Sequence, residues 1–169
     1  QCMIQARFRP AVLGAIYISF GFAVSGAPPQ RVVSTAPSFT ETMFALGAGA
    51  RLVAVSNYCH FPTEVEKLPR VGNYLDPNVE AIARLNPDLV LLHTSQAKTI
   101  EQLASLNIAS LPLRNTTLED TLSSFRQIGA ALGMAEKGAQ LETQVRSQLA
   151  AIAQQSKGKP RKTLMFVVG

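Results

Sequence analysis

From Arg31 onward, short β-branched apolar runs alternate with stretches of helical period, and that alternation permits few architectures. "RVVST" (31–35) reads as a first strand. "SFTETMFALGAG" follows as a helix, with Ser38 as its cap, Glu41 at capping-box spacing and Gly47 at its close. "RLVAVS" (51–56) is a second strand. "NVEAIARLNPDLVLL" predicts a short helix capped by Asn78, a break at Asn86–Pro87 and a buried strand over Leu89–Leu92. A helix over 96–106 leads to "IASLPL", a fourth strand. Thr117 then caps "LEDTLSSFRQIGAALG", which puts Leu118, Leu122, Phe125, Ile128 and Leu132 on one face. Strands separated by helices require crossovers, so the expected class is α/β: a parallel sheet flanked by helices, a Rossmann-like lobe.

Two segments fall outside that lobe. Residues 135–156 form a long amphipathic pattern with Leu141, Val145, Leu149 and Ile152 at helical spacing, and "KGKP" stops it. "RKTLMFVVG" then reads as a buried strand over 163–168, and an apolar strand needs sheet neighbours. The pattern predicts a lobe over 28–134 and a connector helix over 135–158. Residues 159–169 would be the first strand of a second, truncated α/β lobe.

The N-terminal end has a different character. Arg7 and Arg9 precede an uncharged apolar run of 14 residues, Ala11–Val24, and then "SGA". A basic flank, a short apolar run and small residues predict a secretory signal peptide over 1–27, cleaved after Ser25 or Ala27. The run is shorter than the roughly 18–20 residues of a membrane-spanning helix. Loss of the leader would lower the formal charge of +5 by two, since it carries Arg7 and Arg9. The remaining basic residues are scattered except for "KGKPRK" at 157–162, which has no interleaved aromatics, so no nucleic-acid partner is expected. Cys2 precedes the apolar run rather than following it, so no lipid-anchor cysteine is seen. Cys59 would be the single thiol of the mature chain, and the product is expected to be soluble, periplasmic and monomeric.

"RVVSTAPSFTETMFALGAGARLVAVSNYCHFP", "LPRVGNY", "NVEAIARLNPDLVLL" and "LASLNIASLPL" together resemble the helical-backbone class of periplasmic substrate-binding proteins. These serve ABC importers of cobalamin, ferric siderophores and haem. The turn Tyr58–Pro62 is most similar to that of the cobalamin-binding branch. The resemblance implies two lobes facing each other across a shallow cleft, with an inner-membrane ABC permease as partner. It implies a small-molecule metal chelate of cobalt or iron as the ligand, no cofactor of the protein's own and no enzymatic activity.

Ligands of open α/β sheets sit beyond the carboxyl ends of the strands. The loops expected there, Ala36–Thr40, Gly72–Asn78, Asn57–Pro62 and His93–Lys98, contain Pro37, Ser38, Tyr58, Phe61, Tyr74, His93 and Gln96 as candidate ligand-binding residues. Tyrosine offers a broad apolar face and a polar rim, which suits a flat corrin or porphyrin. The resemblance matches Tyr58 and Tyr74 to ligand-facing aromatics; packing beneath their own loops is the alternative. Ser38 is expected to cap its helix, whose free amides are also a place for an anionic group. Glu80, in the first turn of its helix, suits the positive helix end. By the resemblance it is the carboxylate that docks on arginines of the permease. Asp88 is expected to cap the loop before its strand.

Two sharper readings of "SNYCHFP" (56–62) compete with a pocket wall. A zinc or manganese site would draw on His60, His93, Cys59 and a carboxylate, but adjacent residues rarely point the same way, and no metal site is expected. A Cys–His hydrolase needs a base within hydrogen-bond reach and an orienting third group, which adjacency does not supply.

Overall fold

The computed structural model describes residues 27–160 and 163–166. Nine regular elements follow one another: β1 (Val32–Ser34), α1 (Pro37–Ala45), β2 (Leu52–Val55), α2 (Val79–Arg84), β3 (Leu89–His93), α3 (Ala97–Ser105), β4 (Ser110–Leu113), α4 (Leu118–Ala131) and α5 (Ala135–Ser156). Short 3-10 turns occupy Gly49–Arg51 and Thr63–Lys67. The four strands are all parallel, in the order β2-β1-β3-β4. This is the expected α/β sheet.

Because successive strand residues face opposite sides, the sheet divides the apolar side chains into two cores. Val32, Leu52, Leu89 and Leu91 face Phe39, Met43 and Ile128 of α1 and α4, with Leu46 and Leu132 just past the ends of those helices. Val33, Ala54, Val90 and Leu92 face Ile82 and Leu103 of α2 and α3. The helices end as the chain pattern demands: a residue in the left-handed region follows each of the first four, namely Gly47, Asn86, Asn107 and Gly133. Asn78 caps α2 by accepting from the Ala81 amide at 2.9 Å. Thr117 and Asp120 form a reciprocal capping box on α4.

Two expectations change. Ser38 does not cap α1: the N-cap is Ala36, which offers no side-chain acceptor, and Pro37 takes the first helical position. Proline's fixed φ and missing N–H suit that position, so the helix starts earlier and carries Ser38 into its first turn. The strand expected over 163–168 is not formed at the described residues 163–166. They have no regular structure, and Leu164, Met165 and Phe166 are exposed. Neither edge of the sheet, β2 or β4, pairs with them. Apolar composition expresses a need for burial, but a strand forms only against a neighbour. The leader lies outside the described residues except for Ala27, as do 161–162 and 167–169. No helix among the described residues is long and apolar enough to cross a membrane.

The long helix α5 is two things in succession. Its first half packs on α4, with Gly138 and Glu142 buried and Leu141 and Val145 partly so, while every residue from 146 onward is exposed. The two helices cross at a glycine pair: a Cβ on Gly138 would lie 2.6 Å from the Phe125 carbonyl, and one on Gly129 would lie 2.9 Å from Gly138 Cα. Beside the crossing, the buried Glu142 accepts from Arg126 at 2.7 Å and from Arg146 at 2.8 Å. Backbone cannot yield as a flexible side chain can. Gly138→Ala should therefore lower the urea midpoint by an amount equivalent to about 1–3 kcal/mol with the slope unchanged. An unshifted midpoint would mean that the helices do not cross here.

Candidate functional site

Chain direction determines where a site can form. β1 hands the chain to α1 on one face of the sheet, whereas the helices α2 and α3, which flank β3 in sequence, cover the other. The carboxyl ends of β1 and β3 lie side by side, Ser34 opposite Leu91, so the crevice of the sheet opens between them. A cleft of about 470 Å³ sits there, lined by Ala36, Pro37, Ser38, Tyr58, Tyr74, His93 and Asn115. Five of the seven candidate residues line it. Phe61 does not; it is exposed on the neighbouring loop. Gln96 does not either, and it is buried behind the cleft wall.

His93 forms the floor. It ends β3, is 4% exposed, and its ring packs against Phe39 (centroids 4.7 Å apart, tilted) and, nearly at right angles, against Tyr74 (4.8 Å). Burial pushes its pKa down, so the imidazole is held neutral. Its Nε2 is buried with no hydrogen-bond partner among the described residues. Gln96 acts as a brace. Its Oε1 accepts from the His93 backbone N–H at 3.0 Å, and its amide nitrogen donates to the Tyr74 carbonyl. One side chain thus ties the end of β3 to the loop that carries Tyr74.

The loop after β2 is fixed differently. Cys59 is fully buried, its Sγ 3.2 Å from Thr40 Oγ1 and 3.3 Å from Ser56 Oγ, and Thr40 Oγ1 lies 2.9 Å from Ser34 Oγ. These small hydroxyls satisfy one another beneath the cleft and join β1, α1 and the loop. Arg70 donates to the carbonyls of Ser56 and Cys59, and Glu66 pairs with Arg70 (2.7 Å) and with His60 Nδ1 (2.9 Å). The His60 hydrogen bond, with Arg70 beside it, holds the Glu66 carboxyl below its usual range. The outcome is that Cys59 points inward while His60 and Tyr58 point outward. The Cys–His adjacency therefore makes no thiol–imidazole pair. No group of three or more His, Cys, Asp or Glu among the described residues is placed to hold a metal ion.

Asn115 was not among the candidates. It follows β4, and the loop after a fourth parallel strand opens at the same edge as the other three, which was the available signal. Ser38 and Asn115 also border a second cavity of about 290 Å³ between α1, α4 and α5, whose walls include Phe125 and Leu141. Glu80 is not part of the cleft lining; it is exposed in the first turn of α2, 3.5 Å from Arg84. Asp88, expected to cap the loop before its own strand, instead directs its carboxylate to another segment: it accepts from the amides of Gln30 and Arg31, each at 2.8 Å, and so anchors the entry to β1.

The model of the family described as periplasmic binding protein matches residues 32–169. A vitamin B12-binding protein of Pectobacterium carotovorum subsp. carotovorum (strain PC1) is 33% identical over 144 residues, covering 84% of this chain and 52% of the relative. Among solved structures, the periplasmic vitamin B12-binding protein of Vibrio cholerae superposes with a TM-score of 0.70 at 27% identity, over 79% of this chain and 53% of that one. A periplasmic haem-binding protein from Pseudomonas aeruginosa gives 0.68 at 28% identity, over 78% and 50%. The chain spans about half the length of the curated relatives it matches.

The buried imidazole makes stability depend on pH. Folded His93 has the lowered pKa, so below its ordinary value of 6.5 the unfolded chain binds more protons than the folded one. Stability is then fully held above that value and declines as pH falls through it toward the lower folded value. His93→Gln should remove this part of the decline. Urea midpoints at about pH 7.5 and about pH 5.5 check it, and an equal decline in both proteins would contradict a neutral buried ring.

Proposed function

The chain belongs to the periplasmic binding protein family, and we propose that it captures a bulky metal chelate, a cobalamin or other corrinoid, for an ABC importer. On this reading the protein is exported, holds its ligand without covalent chemistry and gives it up to a permease in the inner membrane.

The observation that carries the reading is the pairing of two tyrosines on one open cleft. Tyr58, 57% exposed, and Tyr74, half-buried against His93, both line it, although the whole chain has three tyrosines and no tryptophan. An exposed aromatic on a loop pinned by Arg70 loses little freedom when it covers a ligand, so its apolar face contributes at low entropic cost. A shallow cleft without a charged lining suits a macrocycle better than a small ion. The vitamin B12-binding relatives favour a corrinoid. Haem is the second reading, favoured by the structural likeness to the haem-binding protein, and a ferric siderophore is a further alternative.

Glu80 supplies the partner side of the proposal. It lies in the first turn of α2, exposed and with only a long i,i+4 contact to Arg84, so it is free to meet an arginine of the permease. A charge in such a place mainly sets register and encounter rate.

The full-length protein should bind cyanocobalamin with a saturating change in the corrin absorption band, and more tightly than hemin. Tyr58→Ala and Tyr74→Ala should each weaken binding by about tenfold, which corresponds to ~1.4 kcal/mol. Unchanged affinity in both variants would sink the pocket assignment, and tighter hemin binding would favour the second reading. Glu80→Ala should bind as the wild type does but deliver ligand poorly to vesicles containing the permease. Normal uptake would rule out docking through this carboxylate.

A further inference from the structure

The cavity of about 290 Å³ between α1, α4 and α5 differs in character from the cleft beside it. Its lining includes the exposed Glu41, Ala45 and Asn115, so it opens to solvent. Its apolar walls are Phe39, Phe125, Leu141 and Val145. Three hydroxyls also line it, and each spends its hydrogen on a carbonyl of the turn before it. Thr42 donates to Ser38 at 2.7 Å, Thr121 to Thr117 at 3.2 Å and Ser124 to Thr121 at 2.6 Å. No lysine or arginine is on the lining. What the cavity offers a ligand is therefore apolar surface and, at its mouth, the Glu41 carboxylate, which takes part in no ion pair among the described residues. The space is preformed. α5 is pinned to α4 at the Gly129–Gly138 crossing and by Arg146 on Glu119 (2.8 Å), so it cannot close onto α1 without breaking both contacts.

We propose that this cavity is a binding site for a flat, fused two-ring aromatic group with an N–H on its edge, of the indole or benzimidazole kind. Size sets the body of the ligand. An apolar cavity of about 150 Å³ takes a benzene ring, and the space here is roughly twice that. Two fused rings set against Phe39 and Phe125 gain aromatic contacts in addition to burial. The carboxylate sets the polar end: it only accepts, so it matches an N–H donor and repels a ligand carboxylate or phosphate. The cavity shares Ser38 and Asn115 with the Tyr58–Tyr74 cleft. The ring can therefore come as a free small molecule or as an arm of a larger ligand seated in the cleft. The site goes beyond the chelate-binding reading and does not depend on it.

The test places 4-fluorophenylalanine at position 125 alone in the full-length protein, so that a single ¹⁹F resonance reports the cavity. Indole and benzimidazole should each shift it saturably. 1-Methylindole, which keeps the rings but not the N–H, should bind about threefold more weakly than indole. Glu41→Ala should remove that difference and leave 1-methylindole as it is in the wild type; a Glu41 that only supported α1 would affect both probes alike. Val145→Phe, which fills the cavity, should abolish the shift. A resonance unmoved by indole and benzimidazole overturns the proposal, as does a shift that persists in Val145→Phe or equal affinity for indole and 1-methylindole. Cyanocobalamin and dicyanocobinamide, which lacks the benzimidazole arm, then separate the two sources of the ring. Movement with the first alone identifies an arm of the cleft ligand, and movement with neither, with the indole shift intact, identifies a free ring. Equal movement with both would mean that the resonance reports the cleft, and would contradict a separate site. An intact indole shift in a protein that binds no macrocycle would retain the site and reject the chelate reading.

Discussion

The structure depends on β1 having no free side. This three-residue strand pairs in parallel with β2 on one edge and β3 on the other, and Val32, Val33 and Ser34 are each fully buried. With both edges and both faces occupied, the segments leaving β1 and entering β3 must cover opposite sides of the sheet. That requirement creates the two cores and also the crevice between them. Asp88, by accepting from the amides of Gln30 and Arg31, fixes where β1 begins. The cleft is thus a consequence of strand order, and the side chains only decide what it can hold.

What the cleft holds is set by a small number of polar braces. Gln96 binds the β3 terminus to the Tyr74 loop, Arg70 binds the Tyr58 loop from behind, and the Ser34–Thr40–Cys59–Ser56 cluster links the two from below. These braces spend their polar atoms on backbone, on one another or, for Arg70, also on Glu66, which leaves the cleft lining mostly apolar and aromatic. The polar exceptions on the lining are Ser38 at the uncapped start of α1, Asn115 and the His93 imidazole. A preformed cleft with a largely apolar and aromatic lining has the character of a small-molecule pocket.

Much of this was readable from residue order. The alternation of runs foretells the parallel sheet, and the carboxyl-edge rule brings Tyr58, Tyr74 and His93 to one edge of it. The failures share a cause, which is that each depended on a neighbour distant in sequence or on a local competitor. Gln96 looked like a ligand contact because its partner, the Tyr74 carbonyl, lies in another loop. Ser38 had capping-box spacing, but Pro37 claimed the first helical position and displaced it. "TLMFVV" reads as a strand, yet its described part finds no sheet edge to join. Cys59 and His60, side by side in sequence, are separated by the burial of one and the exposure of the other.

On the proposed function a flat chelate lies on Tyr58 and Tyr74 together. ¹⁹F NMR of the full-length protein labelled with 3-fluorotyrosine tests it directly, with the two resonances assigned by Tyr58→Phe and Tyr74→Phe. Both resonances should move and saturate at one equivalent of cyanocobalamin. Binding of cyanocobalamin, hemin or a ferric siderophore that leaves both resonances where they were would contradict it.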